Sequence, residues 1–156
     1  MPQFKSSKQV YTECEHDGNI TKIEEIDTAK IQHMVSLALA DLESAQQLLL
    51  TVQKQSFMWS TIYKLHYDAL HQLVDSFLRF DYIKINNHQC MFAYLCEKHP
   101  ELDLDWKFFE KIRTVRNGIQ YYGTLVTFIV WKEIEVQVNL YIKTLKDTVE
   151  KKLHEQ

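Results

Sequence analysis

Five polar residues on one predicted helix carry the side chains that phosphate binding requires. Arg113, Arg116, Asn117, Gln120 and Tyr121 follow one another at short intervals. At about 100° per residue they fall within an arc of roughly 140° on the helix surface. Guanidinium groups bind phosphate oxygens in bidentate fashion, and amide and phenol groups add further donors. The arc therefore predicts a phosphate-binding surface, and the alternative is that it forms only the solvated face of an amphipathic helix.

Histidine is the residue type best suited to proton transfer at neutral pH. His88 follows Asn86 and Asn87 at the expected start of a helix, where it either belongs to a site or makes a structural hydrogen bond. His66, on the preceding helix, is expected to be a packed residue. The 7 histidines include no H-E-x-x-H motif, so the sequence predicts neither a metal site nor a cofactor.

The composition excludes several classes of protein. Only 3 of the 156 residues are glycine, so the chain has neither a Walker loop nor a dinucleotide-binding loop. Lys and Arg total 18 against 21 Asp and Glu, and a net charge of -3 predicts that any anion site is local. The odd number of cysteines (Cys14, Cys90 and Cys96), without a C-x-x-C pair, indicates reduced thiols in the cytoplasm. Residues 1–5 lack the apolar run of a leader, and no segment is apolar for long enough to cross a bilayer, so we expect a soluble protein.

The elements that position the polar arc are predicted to be helices. Apolar residues recur at intervals of three and four, which predicts helices over about 28–52, 59–82, 88–99, 105–122 and up to 153. Asn86 or Asn87 is expected to cap the third helix and Asp103 or Asp105 the fourth, and Gly123 to end the fourth. The run Val126 to Val130 fits either a strand or the start of the last helix. The sequence thus predicts an all-α bundle of four or five helices over residues 28–156.

The first 27 residues are predicted to form a separate arm or hairpin. Val10 to Thr12 and Ile20 to Ile23 are prone to β structure, and Asp17-Gly18 between them is a turn signal. We therefore expect two short strands here. An arm of this kind could also cross to a second copy of the chain.

The run Arg116-Asn117-Gly118-Ile119-Gln120-Tyr121-Tyr122-Gly123 resembles the signature of HEPN domains. In that signature an Arg, often followed by a polar residue such as Asn, precedes a His by a few positions near the end of a helix. The long helical hairpin, the Phe80-Asp81-Tyr82 segment and the Asn87-His88 pair also resemble small prokaryotic members of this family. The resemblance covers about residues 28 to 153.

The resemblance implies both a fold and a function. HEPN domains are all-α bundles that commonly form homodimers around a shared cleft, and many act as metal-independent ribonucleases. Many also pair with a small nucleotidyltransferase (MNT) in toxin–antitoxin operons. The resemblance thus implies RNA or nucleotide binding in a toxin–antitoxin or defence system, with Arg116 and Asn117 in their family positions.

The chain departs from the family at one residue, because Tyr121 stands where the shortest form of the motif has His. A phenol with an ordinary pKa near 10 is a poor general base at neutral pH. Three alternatives follow: a binding protein, a ribonuclease whose proton transfer uses Tyr121 or His88, and a non-catalytic module that partners a nucleotidyltransferase. In the last case Tyr121 or Tyr122 would be the modified residue.

Overall fold

A computed structural model describes residues 4–156 and confirms the all-α class, with 75% of the described residues helical. Six α-helices run through the described residues: α1 (Ser7–His16), α2 (Thr28–Leu49), α3 (Met58–Leu78), α4 (His88–Lys98), α5 (Trp106–Tyr122) and α6 (Phe128–His154). Two short 3-10 turns, Arg79–Asp81 and Pro100–Leu102, precede and follow α4. Strands β1 (Ile20–Lys22) and β2 (Ile83–Ile85) pair antiparallel. Among the described residues, no helix is long and apolar enough to span a membrane.

The predicted caps set the ends of the helices that form the site. The side chain of Asn87 accepts a hydrogen bond from the Cys90 amide at 3.0 Å and starts α4. Asp105 accepts one from the Lys107 amide at 3.1 Å and starts α5. Gly123 ends α5 with a φ of 64°, a left-handed conformation that glycine adopts without strain. The ambiguous run resolves into helix from Phe128 onward, because Thr127 caps α6.

Helix α3 lies at the centre of the bundle and packs against α2, α4, α5 and α6. Its buried side chains, which include Ile62 and Leu70, cover more than half of its circumference. Phe92 of α4, Phe109 of α5 and Trp131 of α6 reach the same core and are fully buried. The helices that carry His88 and Arg116 are thus held side by side through α3.

The strand expected at Val10 to Thr12 is wrong, because those residues lie in α1. Ser6 and Gln9 form a reciprocal capping box that starts this helix, which buries Val10 and Cys14 against α4. Helix formation here satisfies the backbone while burying one apolar stripe. The second expected strand does form, but β1 pairs with β2 from the α3–α4 connection. A strand at Ile83–Ile85 was not expected from the sequence.

The expectation of three reduced thiols is also wrong. Cys14 and Cys90 form a disulfide with an S–S distance of 2.02 Å, and both residues are buried. Packing of α1 on α4 brings their Cα atoms to 5.8 Å, which is within the range that a disulfide spans. Cys96 alone keeps a free thiol among the described residues. The expectation that residues 1–5 form no leader falls partly on Met1 to Gln3, which lie outside the described residues.

Candidate functional site

A concave pocket forms where the start of α4 meets the second half of α5. Its volume is about 300 Å³, and we call it the polar pocket. Its lining residues all carry hydrogen-bonding side chains: Asn87, His88, Gln89, Arg113, Arg116, Asn117 and Tyr121. Five of the predicted site residues therefore lie together here. Gln120 does not, because its exposed amide accepts a hydrogen bond from Lys64 at 3.3 Å.

The start of α4 gives this pocket a positive end. His88 and Gln89 occupy the first turn of α4, where backbone N–H groups have no partner within the helix. Unpaired amides and the helix dipole favour an anion at such a terminus. The two arginines of α5 face this same end of α4 across the pocket.

The two arginines of the pocket are held in different ways. Arg113 makes two hydrogen bonds to the carboxylate of Glu110, at 3.0 and 3.2 Å. The same carboxylate accepts a hydrogen bond from the side-chain amide of Gln89 at 3.0 Å. The charge of Arg113 is therefore largely neutralised within the protein. Arg116 has a weaker partner, since its terminal nitrogen lies 3.7 Å from the nearest carboxylate oxygen of Asp68.

Arg116 is fixed by packing more than by hydrogen bonds. Its guanidinium carbon lies 5.5 Å from the centre of the Tyr67 ring, a distance suited to a cation–π contact. Within residues 4–156 its buried Nε atom has no hydrogen-bond partner. The side chain keeps 16% of its surface exposed. It is thus an ordered cation that lines the pocket and has hydrogen-bonding capacity to spare.

Two stacked imidazoles form the wall behind Arg116. The rings of His71 and His88 lie 3.7 Å apart, centre to centre, with an angle of 28° between their planes. Burial and the charges of Arg116 and Arg113 lower the pKa of His88. Burial, His88 and Arg116 lower the pKa of His71 well below its usual range. Both rings are therefore neutral at pH 7.

Tyr67 determines which nitrogen of His88 carries the proton. The Tyr67 hydroxyl lies 3.0 Å from His88 Nδ1, its one hydrogen-bond partner among the described residues. Burial raises the pKa of this phenol, so it stays protonated and must donate. A buried O–H without an acceptor is costly, hence Nδ1 accepts and the proton of His88 resides on Nε2. His88 is then a hydrogen-bond donor through Nε2.

Three residues of this site, Tyr67, Asp68 and His71, were not identified from the sequence. They come from α3, where Tyr67 and His71 lie four residues apart and so share a helix face. That spacing was the available signal. It was hidden because Tyr67 belongs to the buried core of α3, and the half-buried His71 stands beside core residues in the sequence.

Comparison of the chain with family models, curated proteins and solved structures finds no match. The resemblance to HEPN domains therefore stays a prediction.

Proposed function

We propose that the polar pocket binds a phosphate group of RNA or of a nucleotide. The observation that carries this proposal is the convergence of His88 from α4 with Arg113, Arg116 and Asn117 from α5 in one pocket of about 300 Å³. Arg116 supplies charge and free donors, His88 supplies an Nε2–H, and Asn117 supplies an amide. The first turn of α4 adds a favourable dipole for an anion.

Tyr121 favours a nucleic acid over a free anion. It lines the polar pocket, and 69% of its surface is exposed. Exposed aromatic rings beside phosphate sites stack on unpaired bases, which is how proteins commonly recognise single-stranded RNA. The resemblance to HEPN domains supports the same class of ligand and a cytoplasmic setting in a toxin–antitoxin or defence system. The cytoplasmic setting rests on the resemblance alone, because a buried disulfide such as Cys14–Cys90 is more common in oxidising compartments.

The hydrogen bond from Tyr67 favours binding over cleavage. Attack by a ribose 2′-hydroxyl requires a proton acceptor near the pocket. His88 offers no free acceptor when Nδ1 is occupied by Tyr67. The proposed function is therefore a binding protein, and a metal-independent ribonuclease that uses His88 or Tyr121 is the rival to be tested.

The test is binding of a labelled single-stranded RNA, measured by fluorescence anisotropy at fixed salt. Replacing Arg116 with Ala should weaken binding about tenfold or more, the size expected for a lost charged hydrogen bond. Lys107→Ala is the matched control, because it removes one positive charge from an exposed position on the same helix. Equal affinity of the Arg116→Ala and control proteins, both shown to be folded by circular dichroism, would refute the proposal.

The same RNA, incubated in chelator and examined on a gel, tests the rival. We expect it to stay intact. Cleavage that disappears in His88→Ala or Tyr121→Phe would establish the ribonuclease instead.

The homodimer that the resemblance implies belongs to this proposal. Ile129, Val136 and Leu140 are exposed on α6 and fall on one face at helical spacing. A second copy of the chain covering this stripe would remove apolar surface from water. Sedimentation analysis should give a dimer, and Val136→Glu should shift it to a monomer.

A second candidate function, an interaction module for a nucleotidyltransferase of the MNT type, is favoured by one observation. Tyr121 and Tyr122 are 69% and 82% exposed at the end of α5, so either hydroxyl is accessible to a modifying enzyme. Incubation with such an enzyme and ATP, followed by intact mass measurement, tests this function. An unchanged mass contradicts it.

A further inference from the structure

A larger and more apolar groove adjoins the polar pocket on the other side of α5. Its volume is about 610 Å³, against about 300 Å³ for the polar pocket. Thr114 and Asn117 of α5, Leu125 and Val126 of the α5–α6 connection, and Val130 of α6 form its walls. We call it the apolar groove.

Two residues, Asn117 and Tyr121, line both the polar pocket and the apolar groove. The two concavities are therefore neighbours that share one wall. One has arginines and a histidine, whereas the other has aliphatic side chains and hydroxyl groups. A ligand that fills both must be charged at one end and largely apolar at the other.

We propose that the apolar groove is a nucleobase subsite, which receives the base of the nucleotide whose phosphate lies in the polar pocket. This inference rests on the proposed function and deepens it. Tyr121 offers a ring on which a base can stack, and Thr114 offers a hydroxyl to its polar edge. Leu125, Val126 and Val130 cover the base from water.

The local backbone holds the groove open without a ligand. The Thr124 amide donates to the Gly118 carbonyl at 3.0 Å, and a Cβ at Gly118 would lie only 3.2 Å from the Thr124 hydroxyl. Glycine therefore permits the connection to fold back tightly against α5. The Val126 amide donates to Ser60 Oγ at 2.7 Å, which fixes the far end of this connection to α3. A groove built in this way pays little ordering entropy when it is filled.

The experiment compares ribose 5-phosphate with AMP and UMP by isothermal titration calorimetry. All three ligands carry the phosphate, and only the nucleotides carry a base. A stacked base is worth about 1–3 kcal/mol, so a nucleotide should bind at least about fivefold tighter than ribose 5-phosphate. If ribose 5-phosphate binds with equal affinity, the base subsite is refuted while the phosphate site stands. If none of the three binds, the proposed function fails and the inference fails with it.

A variant that fills the apolar groove tests whether the tighter binding of nucleotides arises there. Thr114 is exposed and lines the groove but not the polar pocket, so Thr114→Trp should abolish the advantage of the nucleotides. The affinity for ribose 5-phosphate should change less than twofold. Lys107→Trp, at an exposed position of the same helix outside the groove, is the matched control. A dimer that becomes a monomer in Thr114→Trp, with the nucleotide advantage intact, would instead assign the groove to a second copy of the chain.

Discussion

The two ends of α4 carry histidines in opposite charge states. His88, in the first turn, has a lowered pKa and a neutral ring that faces Arg113 and Arg116. His99, at the C-cap, is held between two carboxylates, with Nε2 2.5 Å from Asp81 and Nδ1 2.8 Å from Glu101. The hydrogen bond to Asp81 raises the pKa of His99 most, burial acts against it, and Glu101 adds to the rise.

The helix dipole favours this difference in charge between His88 and His99. A cation is unfavourable beside the N-terminus of a helix and favourable beside its C-terminus. The neighbours reinforce this difference, since arginines surround His88 and carboxylates surround His99. The first end of α4 therefore presents positive charge to the polar pocket, whereas the charge of His99 at the second end is neutralised by Asp81 and Glu101 within the fold.

The two ends of α4 also differ in the contacts that hold them to the rest of the chain. Cys90, two residues after His88, is bonded covalently to Cys14 of α1. The His99 end is held by ion pairs and by Tyr94, whose hydroxyl donates to Asp81 at 3.1 Å. Rigid fastening beside a binding pocket reduces the entropy lost on binding. Under the proposed function, the first end of α4 binds the ligand and the second end contributes stability.

Cys14→Ser should give the largest effect on stability. The disulfide joins residues 76 apart, and loss of a crosslink that closes a long loop typically costs about 2–4 kcal/mol. Urea denaturation in the absence of reductant measures this change. Amide exchange should quicken in the first turn of α4 and in α1, and less around His99. Uniform exchange along α4 would show that its two ends are not fastened independently.

His99→Gln should give the next largest loss of stability. The substitution removes a charged partner from the half-buried Asp81, and hydrogen bonds to charged groups contribute about 1.5–3 kcal/mol. RNA affinity should stay within twofold of wild type. His88→Gln is the matched substitution at the other end, and it should weaken RNA binding while lowering stability by less. If both variants lose stability and affinity equally, the division of roles between the ends is wrong.

Much of this arrangement was accessible from the sequence. Apolar spacing predicted α2 to α6. Capping depends on a few adjacent residues, so the sequence narrowed the start of α4 to Asn86 or Asn87 and the start of α5 to Asp103 or Asp105, and it marked Gly123 as the end of α5. The polar arc of α5 was also predicted, since Arg113, Arg116 and Asn117 occupy one face of a single helix. Local patterns suffice where one element contains all the interacting residues.

Features that join distant elements were missed. The stack of His71 on His88 and the Cys14–Cys90 disulfide depend on how α3, α4 and α1 pack, which no spacing within one helix encodes. Helix α1 was missed for another reason. Its Val10-Tyr11-Thr12 run and the following Asp17-Gly18 favour a hairpin locally, whereas burial of Val10 and Cys14 against α4 stabilises a helix.

The pH dependence of stability should separate the two ends by its sign. The raised pKa of His99 gives stability that is full below about pH 6.5 and is lost as the pH rises through its folded pKa. The lowered pKa values of His71 and His88 give stability that is full above about pH 6.5 and is lost as the pH falls.

Each titrating group contributes a slope of at most about 1.4 kcal/mol per pH unit. Urea denaturation between pH 5 and 8 should therefore show a loss of stability on the acid side that His71→Gln reduces. On the alkaline side, His99→Gln should flatten the decline. Titration of Asp81 contributes little to the change in stability between pH 5 and 8. Burial is the largest single influence and raises its pKa, but the hydrogen bond and charge of His99, the hydrogen bond from Tyr94 and the charge of Lys152 together lower the pKa of Asp81 below its ordinary value.

Glu101→Gln should give the smallest effect on stability. Its effect on the pKa of His99 also shows which carboxylate keeps this histidine protonated. Glu101 is 62% exposed, and exposed ion pairs contribute at most about 1 kcal/mol because water screens them. Asp81 is only 23% exposed, so its charge acts on His99 through a less screened path. NMR titration of the His99 ring should thus show a small fall in its pKa in Glu101→Gln and a larger fall in Asp81→Asn. The reverse order would mean that the exposed Glu101 controls the pKa of His99. The ion pair that stabilises the C-terminal end of α4 would then be the solvent-screened one and not the mostly buried pair with Asp81.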